Sequence, residues 1–84
     1  MKIRVYRTPQ ISVPYHVRFA LNGIELEVKD VIPGQKNLYI IECSMMAEAV
    51  RSKDPAAAQW LLSDFNTKKE VGISSAYCEE VPQH

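Results

Sequence analysis

Two runs of alternating apolar residues flank the dipeptide Asn22-Gly23, and they constrain the fold more than any other feature of this chain. Asn-Gly is the strongest short signal for a two-residue hairpin turn, because both central positions need a positive φ that these residues tolerate. If Leu21 pairs with Ile24, all large apolar residues fall on one face and the charged ones on the other. The sequence therefore predicts a β-hairpin over Tyr15 to Ile32. Its opposed residues are Phe19 and Leu26, Val17 and Val28, Arg18 and Glu27, and Ala20 and Glu25.

The segments on either side of the hairpin predict further strands. Lys2 to Arg7 alternates and indicates a half-buried strand, while Thr8 to Pro14 holds two prolines and indicates a connection. Leu38 to Cys43 is rich in β-formers, and we interpret it as a strand followed by a helix with Ser44 as its N-cap. Helical spacing across the same stretch leaves a helix as the alternative.

The C-terminal half predicts a helix and one more strand. Asp54-Pro55 is typical of a helix start, because Asp caps exposed amides and proline at the first position loses no hydrogen bond. This helix should run to Phe65, with Asn66 just past its end and Lys68 and Lys69 complementing its dipole. We then expect a strand over Val71 to Tyr77 and a frayed polar tail over 79–84.

Together these segments predict a single α+β domain over residues 1–84. The expected architecture is an antiparallel sheet of four to five strands, including the Asn-Gly hairpin, covered on one face by one or two helices. The expected order is β-β-β-β-α-α-β, which leaves the other sheet face exposed.

Size and charge argue against several functions. A chain of 84 residues buries only about 60 to 65% of its unfolded surface, which leaves little material for a deep catalytic pocket. Ten basic and ten acidic residues cancel, unlike the strong charge of a nonspecific nucleic-acid binder or a DNA mimic. The first 24 residues nevertheless carry four cations and no acid, so a local basic patch is expected.

Motifs for chemistry are absent from the sequence. The histidines and cysteines show none of the close ligand pairs of structural zinc sites, and no phosphate loop or catalytic triad is recognisable. We therefore expect no catalytic residue, no metal and no cofactor. We also expect no membrane-spanning segment and a cytoplasmic location, with Cys43 and Cys78 as free thiols; a disulfide between neighbouring strands is the alternative.

Arginine, tyrosine and tryptophan are the residue types that most often anchor protein interfaces. We expect such anchors on the exposed sheet face and at the edge of the second helix. The candidate binding residues are Arg4, Tyr6, His16, Arg18 and Trp60. The alternative is that the first four are ordinary solvent-exposed positions of a sheet and that Trp60 covers the edge of the hydrophobic core.

In size and in its strand-hairpin-helix layout, the chain resembles small α+β proteins encoded by bacteriophages and mobile elements, including anti-CRISPR inhibitors. Small size, the missing catalytic motifs, the neutral charge and the one-sided sheet favour a noncatalytic module that binds a larger protein partner. The resemblance implies that this partner is a bacterial nucleoprotein complex, such as a CRISPR-Cas defence complex, within the host cytoplasm. Two other functions remain: a nucleic-acid-binding or regulatory domain using the basic N-terminal face, and a structural protein that pairs through an edge strand, for example as a homodimer.

Overall fold

The structure is a computed structural model that describes residues 1–65 and 69–82, with the backbone alone at 64 and 65. Over these residues, the fold consists of two three-stranded antiparallel sheets and three α-helices. In chain order the elements are β1 (Lys2–Val5), α1 (Tyr15–Leu21), β2 (Glu25–Glu27), β3 (Asp30–Ile32), β4 (Leu38–Glu42), α2 (Cys43–Val50), α3 (Pro55–Trp60), a π-helical turn (Leu61–Phe65), β5 (Glu70–Ser74), a 3₁₀ turn (Ser75–Tyr77) and β6 (Cys78–Val81). The α+β class is confirmed. The single sheet and the predicted order of elements are wrong.

The two sheets are joined by chain segments that pass from one to the other. One sheet has the order β2-β1-β6 and the other the order β3-β4-β5. At the first crossing, the Val28 N–H donates to the Met1 carbonyl and the next N–H, of Lys29, donates to the Ile40 carbonyl, both at 2.8 Å. The 3₁₀ turn between β5 and β6 makes the second crossing. Consequently β1 and β4 each lie between the same two long segments, 25–32 and 70–81, which run from one sheet into the other.

The first arm of the predicted hairpin is a helix. Residues Tyr15–Leu21 form α1, which buries Val17, Ala20 and Leu21 on one stripe. These three positions follow helical i, i+3, i+4 spacing, so the seven residues fit a period of 3.6 as well as a period of 2. In the helix Phe19 turns outward and is 54% exposed. The predicted pairing of residues 17–20 with 25–28 is therefore wrong, and β2 pairs instead with β1, placing Ile3 opposite Leu26.

The Asn22-Gly23 reversal exists, but it joins a helix to a strand. Asn22 has φ −63° and ψ 124°, and Gly23 has φ +83°. These angles define a type II turn, in which only the second central residue needs a positive φ. The turn is closed by the Ile24 N–H, which donates to the Leu21 carbonyl at 3.1 Å. Asn-Gly thus identified the position of the turn but not its type or the elements it connects.

Replacing Gly23 with alanine is expected to reduce the free energy of unfolding by about 1 to 2 kcal/mol, because an L-residue resists a positive φ. A Cβ at Gly23 would meet no atom within 4 Å, so the cost is conformational strain alone. Gly34→Ala is the matched control, since its Cβ would meet only the Lys36 carbonyl oxygen at an ordinary 3.4 Å. Urea denaturation of both variants measures the difference; equal effects would contradict the type II turn.

The helical layer confirms one predicted capping signal and corrects another. The Asp54 carboxylate accepts hydrogen bonds from the Ala56 and Ala57 amides, and Pro55 occupies the first turn as predicted. In contrast, α2 begins one residue before Ser44 and has no side-chain cap, while the Cys43 N–H donates to the Lys69 carbonyl at 2.8 Å. The helix α3 loses regular α geometry at Leu61, where the π-helical turn begins. Predictions at Asn66 and Lys68 lie outside the described residues.

The C-terminal strand prediction captured only half of the structure there. β5 ends at Ser74, and Ser75–Tyr77, predicted as strand, form the 3₁₀ turn. Glu79 and Glu80, predicted as tail, pair with β1 in β6. The core lies between the sheets and the helices, where α2 packs on β2 and β4 while α1 packs on α3. Its largest fully buried side chains include Ile3, Leu21, Leu26, Ile41, Met46, Leu61 and Ile73.

Candidate functional site

The outer face of the β2-β1-β6 sheet, where Arg4 was predicted to bind a partner, is occupied by internal ion pairs. Arg4 lies between Glu25 and Glu79, and its two terminal nitrogens each contact a carboxylate oxygen at 3.0 Å. Hydrogen bonds to Glu25 and then to Glu79 raise the pKa of the Arg4 guanidinium. The predicted Arg18–Glu27 pair is wrong; Glu27 instead contacts the N-terminal amine at 3.3 Å.

A second cation on the sheets is neutralised in the same way. Lys29, at the crossing between the sheets, lies near Glu70 and 3.7 Å from Glu42. The hydrogen bond and charge of Glu70, with a smaller contribution from Glu42, raise the pKa of the Lys29 ammonium. Exposed pairs of this kind contribute little to stability. They do, however, leave Arg4 and Lys29 with partners already in place.

Exposed aromatic residues are concentrated on α1. Tyr15 is 63% exposed and Phe19 is 54% exposed, the two highest values among the large hydrophobic residues that the structure describes. One helical turn apart, their rings stack with centroids 6.0 Å apart and planes 28° from parallel. Because the helix buries its opposite stripe in the core, this pair is held on a fixed backbone rather than on a loop.

Two cations lie over these rings. The Arg18 guanidinium is 5.5 Å from the centroid of Tyr15, and the Lys53 ammonium is 6.0 Å from that of Phe19. Gln10 accepts a hydrogen bond from Arg18 at 3.3 Å, and the Asn22 carbonyl accepts one from Lys53. Both cations are therefore held in position. We call Tyr15, Arg18, Phe19 and Lys53 the α1 surface.

Over the described residues, the α1 surface differs from the sheet face in having no ion pairs. Among the described side chains, no carboxylate oxygen lies within 4.0 Å of the Arg18 or Lys53 cation. The Arg18 Nε is buried, and no described residue accepts a hydrogen bond from it. The helix contributes no acidic residue of its own. Positive charge and apolar area thus coincide on the α1 surface. Elsewhere, the Arg7 guanidinium lies 5.1 Å from the centroid of the Tyr77 ring.

The five predicted binding residues do not form one cluster. His16 and Arg18 both belong to α1, and His16 is exposed there. Tyr6 follows β1, is 51% exposed and donates its hydroxyl to the Ala76 carbonyl at 2.8 Å, while Arg4 is held by two carboxylates. Trp60, in α3, is half-buried and packs against the core, as the alternative interpretation predicted.

Sequence reasoning missed three members of the α1 surface: Tyr15, Phe19 and Lys53. The signal for the aromatic pair was their i, i+4 spacing, which becomes visible only if the segment is interpreted as a helix. Lys53 lies in the turn between α2 and α3, and no local pattern relates it to residue 19. Its position depends on the packing of the helices.

Neither cysteine resembles a reactive thiol. Both are free and buried, and their sulfurs contact the Leu61 carbonyl at 3.3 Å and the Ser74 carbonyl at 3.6 Å respectively. Burial raises the pKa of the Cys43 thiol, and it raises the pKa of the Cys78 thiol to about 11. Thiolates are the nucleophilic form, so these surroundings suppress reactivity near neutral pH.

The raised pKa of Cys78 predicts a loss of stability at alkaline pH. From an ordinary pKa of 9.0 in the unfolded chain to about 11 in the folded one, unfolding releases a proton, so stability falls as pH rises through this interval and is unaffected below it. Urea denaturation below pH 9 and near pH 11 should show a smaller fall for Cys78→Ala than for the natural protein. Parallel falls in the two proteins would contradict the expectation.

No protein family, curated protein sequence or solved structure matches this chain. Over the described residues, no helix is long and apolar enough to cross a membrane. In the same part of the chain, no three histidine, cysteine, aspartate or glutamate side chains come together as a metal site would require. The functional interpretation therefore depends on the geometry of the α1 surface.

Proposed function

We propose that this protein is a noncatalytic protein-binding module that contacts a larger protein partner through the α1 surface. The observation that carries the proposal is the stacked and exposed pair of Tyr15 and Phe19, fixed on one helix between Arg18 and Lys53. Aromatic residues and arginine supply most of the binding energy of protein interfaces. Because the Tyr15 and Phe19 rings are exposed to solvent, they do not pack in the hydrophobic core, and exposed apolar area of this kind is typical of an interaction site.

The position of the pair also supports an interface. Interface anchors work best when binding costs little conformational entropy, and rings on a packed helix are already ordered. Alternative anchors are weaker, because Arg4 is satisfied by its own carboxylates and the Tyr6 hydroxyl by a carbonyl.

The identity of the partner remains a prediction. Resemblance to phage-encoded inhibitors implied a bacterial defence complex, and it depended on size and on a strand-hairpin-helix layout. Because residues 15–21 are helical, size alone now supports that resemblance. A bacterial lysate is still the first place to search for the partner.

Site-specific photo-crosslinking tests the proposal. A benzophenone amino acid in place of Phe19 should give discrete protein adducts in a bacterial lysate. Ile32 is the matched control position, because it is apolar, 50% exposed and located on β3 rather than on α1. Adducts at position 19 that are missing at position 32 would support the proposal. No adduct at position 19, or the same adducts at both positions, would overturn it.

Single-stranded nucleic acid is the second candidate ligand, because stacked rings flanked by cations also suit bases and phosphates. Neutral net charge and the neutralisation of Arg4 favour a protein. A mobility-shift titration with a single-stranded oligonucleotide at low and moderate salt separates the two. Salt-sensitive binding that depends on Tyr15 and Phe19 would favour the nucleic acid.

A further inference from the structure

Some cations of this protein contact carboxylates, whereas others lie over aromatic rings. Arg4, Lys29 and Arg51 each lie within 4.0 Å of at least one carboxylate oxygen. Arg18 and Lys53 have no such neighbour among the described side chains and lie over aromatic rings instead. Formation of a complex would bury these two charges, and a buried charge needs a partner of opposite sign.

From this arrangement we infer that the segment docking on the α1 surface is an acidic protein segment, with apolar side chains on the two rings and carboxylates placed toward Arg18 and Lys53. This inference depends on the proposed function and specifies its partner. The rings supply apolar contact area, while the cations, each 5.5 to 6.0 Å from a ring centroid, select for acidic groups beside it.

Charge argues against a second copy as the occupant. A two-fold contact through this surface would bring the same patch of both copies together, which adds two more cations and supplies no carboxylate. Charge also disfavours nucleic acid. Tight binding to a phosphate backbone draws on many cations, whereas this surface offers two on a chain with no net charge.

Fluorescence anisotropy with matched peptides tests the inference. The acidic probe has a Leu-Trp-Leu centre flanked on both sides by glutamates, and the neutral probe has glutamines in their place. An oligothymidylate of similar length tests nucleic-acid binding. Light scattering of the protein alone tests self-association. The acidic probe should bind about tenfold more tightly than the neutral one at low salt, and moderate salt should reduce this preference.

Two double variants identify the cause of the preference. In Arg18→Gln with Lys53→Gln, the acidic and neutral probes should bind alike. Circular dichroism of this variant checks that the fold is retained, because Arg18 is partly buried. In Tyr15→Ala with Phe19→Ala, both probes should lose binding. Lys36→Gln is the control for removing a positive charge, since this lysine lies in the exposed segment between β3 and β4.

The inference would be overturned by no measurable binding of the acidic probe, by equal binding of the two peptides to the natural protein, or by tighter binding of the oligothymidylate. Concentration-dependent self-association that requires Phe19 would overturn it as well. If the peptides bind equally but both require Tyr15 and Phe19, only the acidic preference is wrong and the proposed function stands. If peptide binding is independent of both rings, the proposed function fails too.

Discussion

Leu21→Ala is expected to lower the free energy of unfolding by about 3 to 5 kcal/mol, the range for removing a fully buried leucine side chain and leaving a cavity. Leu21 is 0% exposed and lies where α1 meets the core. A domain of this size has a total stability of about 5 to 15 kcal/mol, so this one substitution should remove between about a fifth and all of it. Urea denaturation followed by circular dichroism measures the loss.

Phe19→Ala is the control that distinguishes the helix from the predicted hairpin. In the helix Phe19 is more than half exposed, so its removal should cost less than about 1 kcal/mol. In the hairpin Phe19 would pack opposite Leu26 on the buried face, and its loss would cost about as much as that of Leu21. Similar losses in the two variants would contradict α1.

The parts of the fold that could be predicted are those specified by local chemistry. Asp54-Pro55 predicted the start of α3 because the cap and the proline act within one turn of the helix. The strand at 38–42 was predicted because its β-rich run is followed directly by helix formers. In both cases, the residues that decide the structure are neighbours in sequence.

The segment 15–21 could not be predicted because seven residues satisfy two periods at once. Val17, Phe19 and Leu21 define a strand face, whereas Val17, Ala20 and Leu21 define a helix stripe. Tertiary packing decides between them: α1 packs against α3, a partner distant in sequence. Asn-Gly favoured the wrong choice because a type II turn and a hairpin turn share the same dipeptide signal.

The sixth strand was missed for a related reason. Glu79 and Glu80 have low strand propensity, and a polar end of chain is normally frayed. In the structure β6 is held by β1, where Arg4 contacts both Glu25 and Glu79 across the sheet. A contact between residues 75 positions apart leaves no signal in the local sequence.

In the candidate site, too, the features set by neighbouring residues could be predicted and those set by tertiary packing could not. The sequence revealed the basic character of the first 24 residues and included Arg18 among the candidate residues. It assigned that charge to a sheet face, where Arg4 is in fact neutralised by carboxylates. Combining Arg18 with Tyr15, Phe19 and Lys53 required the helix and its packing against the turn that carries Lys53.

Simultaneous replacement of Tyr15 and Phe19 by alanine is expected to weaken binding of the partner captured at position 19 by at least about 30-fold. Interface anchors cost about 2 kcal/mol or more on truncation to alanine, which corresponds to that factor. The fold should be retained, because both side chains are more than half exposed and neither belongs to the buried core. Titration calorimetry with the purified partner measures the change in affinity.

The matched control is the double variant Ile32→Ala with Met45→Ala. These residues are 50% and 48% exposed, so they expose similar apolar side chains on β3 and α2 rather than on α1. Their replacement should change the affinity by less than about threefold, since most residues outside the anchors contribute little. Equal losses in the two double variants would mean that apolar exposure in general drives association. A loss confined to the control would place the interface beside Ile32 or Met45 and exclude the α1 surface as the contact.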